Sequence, residues 1–174
     1  QAKRQPGSVF KPIIYLTALE KGYSTTTELL NQPLISIIDD TTNWDPQNHD
    51  YSTSLLTTLR TGLLRSLNLI SVRVVQELAS PTEIVKNAKD LGITTNIHAV
   101  DAIALGVSEV LPIEITAAYA TIANNGIYSK PISITRIEDR HGRIIKEFFP
   151  ESKEVQDEGT IYILRDMMRS VLDD

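Results

Sequence analysis

A chain of 174 residues with 41% hydrophobic content supports one domain whose core needs no disulfide or metal to hold it. The net charge of −5, with Lys and Arg dispersed, leaves no electrostatic footprint for nucleic acid and argues against docking on an anionic membrane surface. Cysteine is absent, which excludes disulfides and thiolate chemistry, and His49, His98 and His141 are scattered without metal-ligand spacing, so neither a metal nor another cofactor is expected. No apolar run reaches the roughly 18 residues of a membrane span, and Gln1 opens no signal-peptide pattern; both ends read as the middle of a longer protein.

Over residues 8–21, Phe10, Ile13, Ile14, Leu16 and Leu19 recur at helical spacing, and Gly22 stands where a helix C-cap belongs. Pro12 suits an early helical position, where the N–H has no intrahelical partner. Residues 23–53 are rich in Thr, Asn, Asp and Pro, with one alternating stretch at 34–38 that reads as a strand. Helices are expected over 55–64 and 69–78, with Ser66-Leu67-Asn68 at the break between them, and Arg60-Thr61-Gly62 reads as ordinary helix surface. Ser80-Pro81 with Glu83 opens a helix that runs to Leu91-Gly92. Residues 93–107 read as irregular. A helix with small residues for close packing is expected over 112–123, closed by Asn124-Asn125-Gly126. Residues 130–138 and 143–149 form a β-hairpin around Asp139-Arg140-His141-Gly142. A final helix spans 159–172, with Ile161, Ile163, Leu164, Met167, Met168, Val171 and Leu172 on a broad apolar face. No internal repeat interrupts the series.

The chemistry sits at the head of the first helix. Positions i and i+3 share a helix face about 5–6 Å apart, so the Ser8 hydroxyl and Lys11 amine can share a proton. A serine is a poor nucleophile without a base, and a lysine serves if desolvation or neighbouring donors lower its pKa. Free backbone N–H groups at the helix start suit an anion forming on a substrate carbonyl. That is an outline of acyl transfer, with a capped helix start and a surface lysine as the plainer alternative. The hydroxyl of Ser66 and the amide of Asn68, two residues apart in a tight connection, can point into one cleft; local helix capping is their alternative reading.

The run Arg4-Gln5-Pro6-Gly7-Ser8-Val9-Phe10-Lys11-Pro12 resembles the active-serine segment of penicillin-binding proteins, particularly the bifunctional class A enzymes. Ser66-Leu67-Asn68, preceded by Leu59-Arg60 and Leu63, resembles their Ser-x-Asn motif. Trp44-Asp45-Pro46-Gln47-Asn48 resembles their Trp-x-Pro-x-Asn segment near the cleft, with Trp44 equally readable as a packing anchor, and Ala104-Leu105-Gly106 resembles their Ala-Leu-Gly turn. The third family motif, Lys-Thr-Gly, is absent from the 174 residues, and Arg60-Thr61-Gly62 has the wrong order and setting to replace it.

The resemblance implies an α+β penicillin-binding protein/serine β-lactamase-like transpeptidase fold, mostly helical, with an incomplete antiparallel sheet. Residues 1–174 would be a partial transpeptidase domain whose Lys-Thr-Gly strand follows residue 174, and acylation by this piece alone would be impaired. It implies a D,D-transpeptidase: Ser8 as nucleophile, Lys11 as general base, Ser66 relaying protons, and Asn68 holding substrate backbone. The partners implied are peptidoglycan stem peptides ending in D-Ala-D-Ala and β-lactam antibiotics. The setting implied is the extracytoplasmic face of the bacterial membrane, with anchoring by a segment upstream of Gln1. A serine β-lactamase or β-lactam sensor remains as one alternative, a non-catalytic cell-wall binding module as another.

Overall fold

The computed structural model describes residues 2–34, 36–39 and 42–173. At its centre is helix α1 (Lys11–Glu20), in which every residue from Lys11 to Leu19 is buried. A helix apolar on one face would bury only a stripe, and this one is enclosed on all sides. Its polar Thr17 is accommodated by donating to Ile13 O at 3.0 Å and accepting from Asn87 Nδ2 at 3.0 Å. Gly22 ends α1 as expected, at φ +90°, with Gly22 N and Tyr23 N bonding back to Leu19 O and Ala18 O.

The strands are short and form four separate two-stranded antiparallel ribbons among the described residues, not one sheet. β1 (Glu28–Leu30) pairs with β4 (Leu56–Thr58), and β2 (Ser36–Asp39) with β3 (Thr42–Trp44). The alternating stretch expected at 34–38 is represented by β2; Ile35 lies outside the described residues. The helix expected over 55–64 is corrected: it begins as β4, and only α2 (Leu59–Leu64) is helical. Pairing with β1 claims the backbone of 56–58. Thr58 then caps α2 by accepting from Thr61 N, and Leu59 N and Arg60 N bond to Thr27 O and Thr25 O.

The helix expected over 69–78 divides into α3 (Asn68–Arg73) and a π-helical turn, Val74–Leu78, closed by Ala79 N donating to Val74 O at 2.9 Å. Helix α4 (Pro81–Asp90) starts at the anticipated place, with Ser80 and Glu83 forming a capping box, and Gly92 at φ +98° ends it. Residues 101–105 of the segment read as irregular form a 3-10 helix. Helix α5 (Pro112–Ala123) matches its expected bounds.

β5 (Ile127–Ser129) pairs with β8 (Ser152–Glu154), while β6 (Arg136–Glu138) and β7 (Ile144–Glu147) make the hairpin around Gly142. The hairpin's first strand starts six positions later than the 130–138 reading, beyond Pro131, which has no N–H for a ladder. Helix α6 (Glu158–Asp173) packs on α1, α2 and α5. It buries Ile161, Leu164 and Met167, whereas Val171 and Leu172 are exposed, so the broad apolar face is only partly used. Arg60 on α2 fastens it through Asp166 at 2.5 Å and Ser170 at 2.9 Å. Beside Arg60, Gly62 is not helix surface: a Cβ there would lie 2.5 Å from Ile70 Cγ2, so α2 and α3 meet across it.

Candidate active site

Ser8 lies in a 3-10 turn, Gly7–Phe10, leading into α1. The turn is tight for a reason legible in its residues. The α-helical partner of the Ser8 carbonyl would be the N–H of residue 12, which is Pro12 and has none. Lys11 N donates to Ser8 O instead, one residue earlier. In 3-10 geometry positions i and i+3 eclipse, so Ser8 and Lys11 are stacked more directly than an α-helix would stack them.

The turn is clamped from outside. Gly7 adopts φ +57° and donates to Gly106 O at 3.2 Å, and Arg4 and Val110 exchange backbone bonds at 3.0 and 2.9 Å. Tyr119 Oη on α5 donates to Val9 O at 2.9 Å. Ser8, Lys11, Ser66 and Tyr119 line one cleft of about 840 Å³, with Ser8 exposed to it.

Lys11 is 1% exposed, which excludes the surface-lysine alternative. Its Nζ donates to Ser66 O at 2.6 Å, Ser66 Oγ at 3.0 Å and Asn68 Oδ1 at 2.8 Å. Three acceptors match the three N–H bonds of an ammonium. Burial lowers the pKa from the ordinary lysine value to about 8, so the neutral amine is accessible near physiological pH. Among the described residues no hydrogen bond joins Lys11 Nζ to Ser8 Oγ; the direct proton-sharing pair expected from the spacing is replaced by a lysine turned toward Ser66 and Asn68.

Ser66 has a backbone that sequence reading did not foresee. Its φ is +52°, and it occupies the position after the α2 C-cap. Ser66 N donates to Leu63 O and Leu67 N to Gly62 O, the paired bonds that end α1 and α4 as well. Those two helices place Gly22 and Gly92 there, as left-handed φ favours. A serine held at a glycine position marks a residue kept for its side chain. Ser66→Gly should therefore raise unfolding free energy by about 1 kcal/mol, read by chemical denaturation, while removing the hydroxyl from Lys11.

Nor do Ser66 and Asn68 cap a helix. Leu67 stands at the N-cap of α3 without a side-chain bond, and it is Asn48 Oδ1 that accepts from Leu69 N at 3.1 Å. Asn68 instead bridges, giving Oδ1 to Lys11 and donating Nδ2 to Gln47 O at 2.9 Å. Trp44 is partly buried against the hydrophobic core, as a packing anchor would be. The sequence singles out Ser8, Lys11, Ser66 and Asn68, names Asn48 and Gly106 only within family-like segments and without a role, and gives no sign of Tyr119. The Ala104-Leu105-Gly106 turn is the available signal for Gly106.

The model of the family described as penicillin binding protein transpeptidase domain matches residues 1–174. Penicillin-binding protein 2D of Bacillus subtilis (strain 168) is 34% identical over 175 residues, an alignment covering 99% of this chain and 25% of that protein. The chain thus spans about a quarter of the length of that curated relative. Penicillin-binding protein 1A from Haemophilus influenzae superposes with a TM-score of 0.93 at 24% identity, over 99% of this chain and 30% of that one. Penicillin-binding protein A from M. tuberculosis, solved as a penicillin G acyl-enzyme complex, gives a TM-score of 0.86 at 18% identity, over 98% and 44% of the two chains. A match across all 174 residues, with the same fold in solved relatives, places the chain in the penicillin binding protein transpeptidase domain family.

Proposed function

We propose that residues 1–174 carry the nucleophile side of a peptidoglycan D,D-transpeptidase, as part of a domain whose Lys-Thr-Gly strand lies outside them. The observation that carries this reading is the buried Lys11 amine, held by Ser66 and Asn68 in the cleft that Ser8 lines. Ser8 Oγ adds to the carbonyl carbon of the penultimate D-alanine of a stem peptide, and its proton passes to neutral Lys11 Nζ. The tetrahedral adduct collapses as the C–N bond breaks. The departing nitrogen takes a proton from the Lys11 ammonium through the Ser66 hydroxyl, and D-alanine leaves. An amine of a neighbouring stem peptide then attacks the Ser8 ester, loses its proton to Lys11, and the proton returns to Ser8 as the new amide forms. One N–H of Asn68 is given to Gln47 O, which leaves its second for a substrate carbonyl.

Beyond Lys11, which serves the acceptor amine, the described residues of the cleft offer water no separate base. Deacylation by water calls for a group that activates it, and the carboxylate lining the cleft among the described residues, Asp166, is paired with Arg60 at 2.5 Å. A β-lactam acylates Ser8 by opening its ring amide, whose nitrogen stays tethered and blocks the acceptor's approach. Stem peptides and β-lactams are accordingly the partners, and the substrate places the domain on the extracytoplasmic side of the membrane. No helix among the described residues is long and apolar enough to cross one.

Digestion of the penicillin-treated full-length protein, followed by mass spectrometry, should find a penicilloyl adduct on the peptide containing Ser8. An unmodified Ser8 peptide, or an adduct elsewhere, overturns the assignment.

A further inference from the structure

Asn48 and Asn31 are each 3% exposed, and their amides meet below the bend that carries Ser66 and Asn68. Asn48 Nδ2 donates to Asn31 Oδ1 at 2.8 Å and to Ser52 O at 2.7 Å, and its Oδ1 accepts from Leu69 N at 3.1 Å. A primary amide is costly to bury unless its donors and acceptor are met, and here both N–H bonds and the oxygen are. Next to Leu69 is Asn68, and next to Asn48 is Gln47. Asn68 Nδ2 donates to Gln47 O at 2.9 Å, so residues 47–48 grip residues 68–69 at two crossed points: side chain to backbone in one direction and again in the other.

The second grip bears on the chemistry. A terminal amide rotates readily and presents either its oxygen or its NH₂ to a neighbour. A carbonyl at one end accepts only from the NH₂, so Gln47 O selects the orientation in which Asn68 Oδ1 faces the Lys11 amine, where it is found at 2.8 Å. Gln47 is exposed, and what holds its carbonyl in place is the buried Asn48 that follows it.

We propose that Asn48 is a positioning residue for acyl transfer: by anchoring residues 47–48 to the start of α3, it keeps the Gln47 carbonyl on Asn68 and thereby keeps Asn68 Oδ1 on Lys11. This rests on the reading of Lys11 as the base. Asn48 itself does not line the cleft and acts only through Asn68.

A fluorescent penicillin and the full-length protein test it, through the acylation rate constants and melting temperatures of wild type, Asn48→Ala, Asn68→Ala and the double variant. Asn48→Ala should slow acylation by about tenfold or more, because small displacements of positioned groups are amplified in rate. In the Asn68→Ala background the same substitution should change the rate by less than about twofold, since nothing is left for Asn48 to position. A purely structural Asn48 would lower the melting temperature and reduce the rate equally in both backgrounds. If Asn48→Ala melts too low to assay, Asn48→Asp goes through the same cycle. It keeps the acceptor for Leu69 N and sets a carboxylate oxygen against Asn31 Oδ1 and Ser52 O. Wild-type rates in the single variants, or equal losses in both backgrounds, overturn the inference while leaving the functional reading intact. A wild type that is not acylated at Ser8 overturns the functional reading and this inference together.

Discussion

Lys11→Met should slow acylation of Ser8 by about 10²–10⁴-fold, the range lost when a general base is removed, and should leave the fold intact. The two halves of that expectation come from the same burial. Methionine fills nearly the same enclosed volume without an ammonium to desolvate, so the substitution relieves the cost of burying that charge. Ser66 is exposed and Asn68 half-buried, so water can reach the acceptors that Lys11 vacates. The melting temperature should therefore stay within roughly 4 °C of wild type, about 1 kcal/mol for a domain of this size.

The pH dependence supplies the sign. If Lys11 is the base, as proposed, only its neutral amine can take the Ser8 proton, so the wild-type rate should climb about tenfold per pH unit on the acid side and level off above pH about 8. Stability moves in the same direction for a different reason. The folded-state pKa of about 8 lies below the ordinary lysine value, so between the two the unfolded chain holds a proton that the folded chain has released. In that window the contribution of Lys11 to stability rises with pH, and below it the burial of the ammonium is a full cost. Lys11→Met should abolish both trends. A variant that keeps the wild-type acylation rate at pH 7 would remove Lys11 from the role of base.

What the sequence made legible was local. Ser8 and Lys11 share a face because of their spacing, Gly22 and Gly92 end helices because left-handed φ suits them, and Ser80 with Glu83 opens α4 as a capping box. What it concealed depends on partners far along the chain. Residues 56–58 carry apolar spacing compatible with a helix, but pairing with Glu28–Leu30 makes them a strand, a tertiary contact overriding local pattern. Gly62 looks like a surface glycine until Ile70 is placed across from it. The direction in which Lys11 Nζ points was hidden for the same reason, since Ser66 and Asn68 are fixed by the α2 terminus and by Gln47, neither of which helical periodicity can see. Residue types at the site were therefore readable, whereas the supports that aim them were not.

The support nearest Ser8 should show the second large effect: Gly106→Ala should reduce acylation by about 10²-fold, the order of loss expected when a reacting group is misplaced by about 1 Å. A Cβ at residue 106 would lie 2.3 Å from Gly7 O and 2.8 Å from Gly7 N, and both are backbone atoms that no side-chain rotation can clear. Gly106 also has φ +63°, a region costing a non-glycine residue about 1–2 kcal/mol. The clash can be relieved by moving the segment that carries Gly7, which is tied to the rest of the fold there by the Gly7–Gly106 bond and the Arg4–Val110 pair. Moving that segment moves Ser8, while Lys11 stays locked in α1 by Ser66 and Asn68. The alignment that the 3-10 turn provides is thus lost before the core is disturbed. Gly92→Ala is the matched comparison: its Cβ would meet the Tyr128 ring at 2.2 Å, at φ +98°, away from the cleft. That substitution should lower the melting temperature with little effect on the acylation rate of the folded fraction. Stopped-flow acylation with thermal melting of both variants separates the cases, and equal rates in Gly106→Ala and wild type would show that the Gly7 contact does not hold the nucleophile.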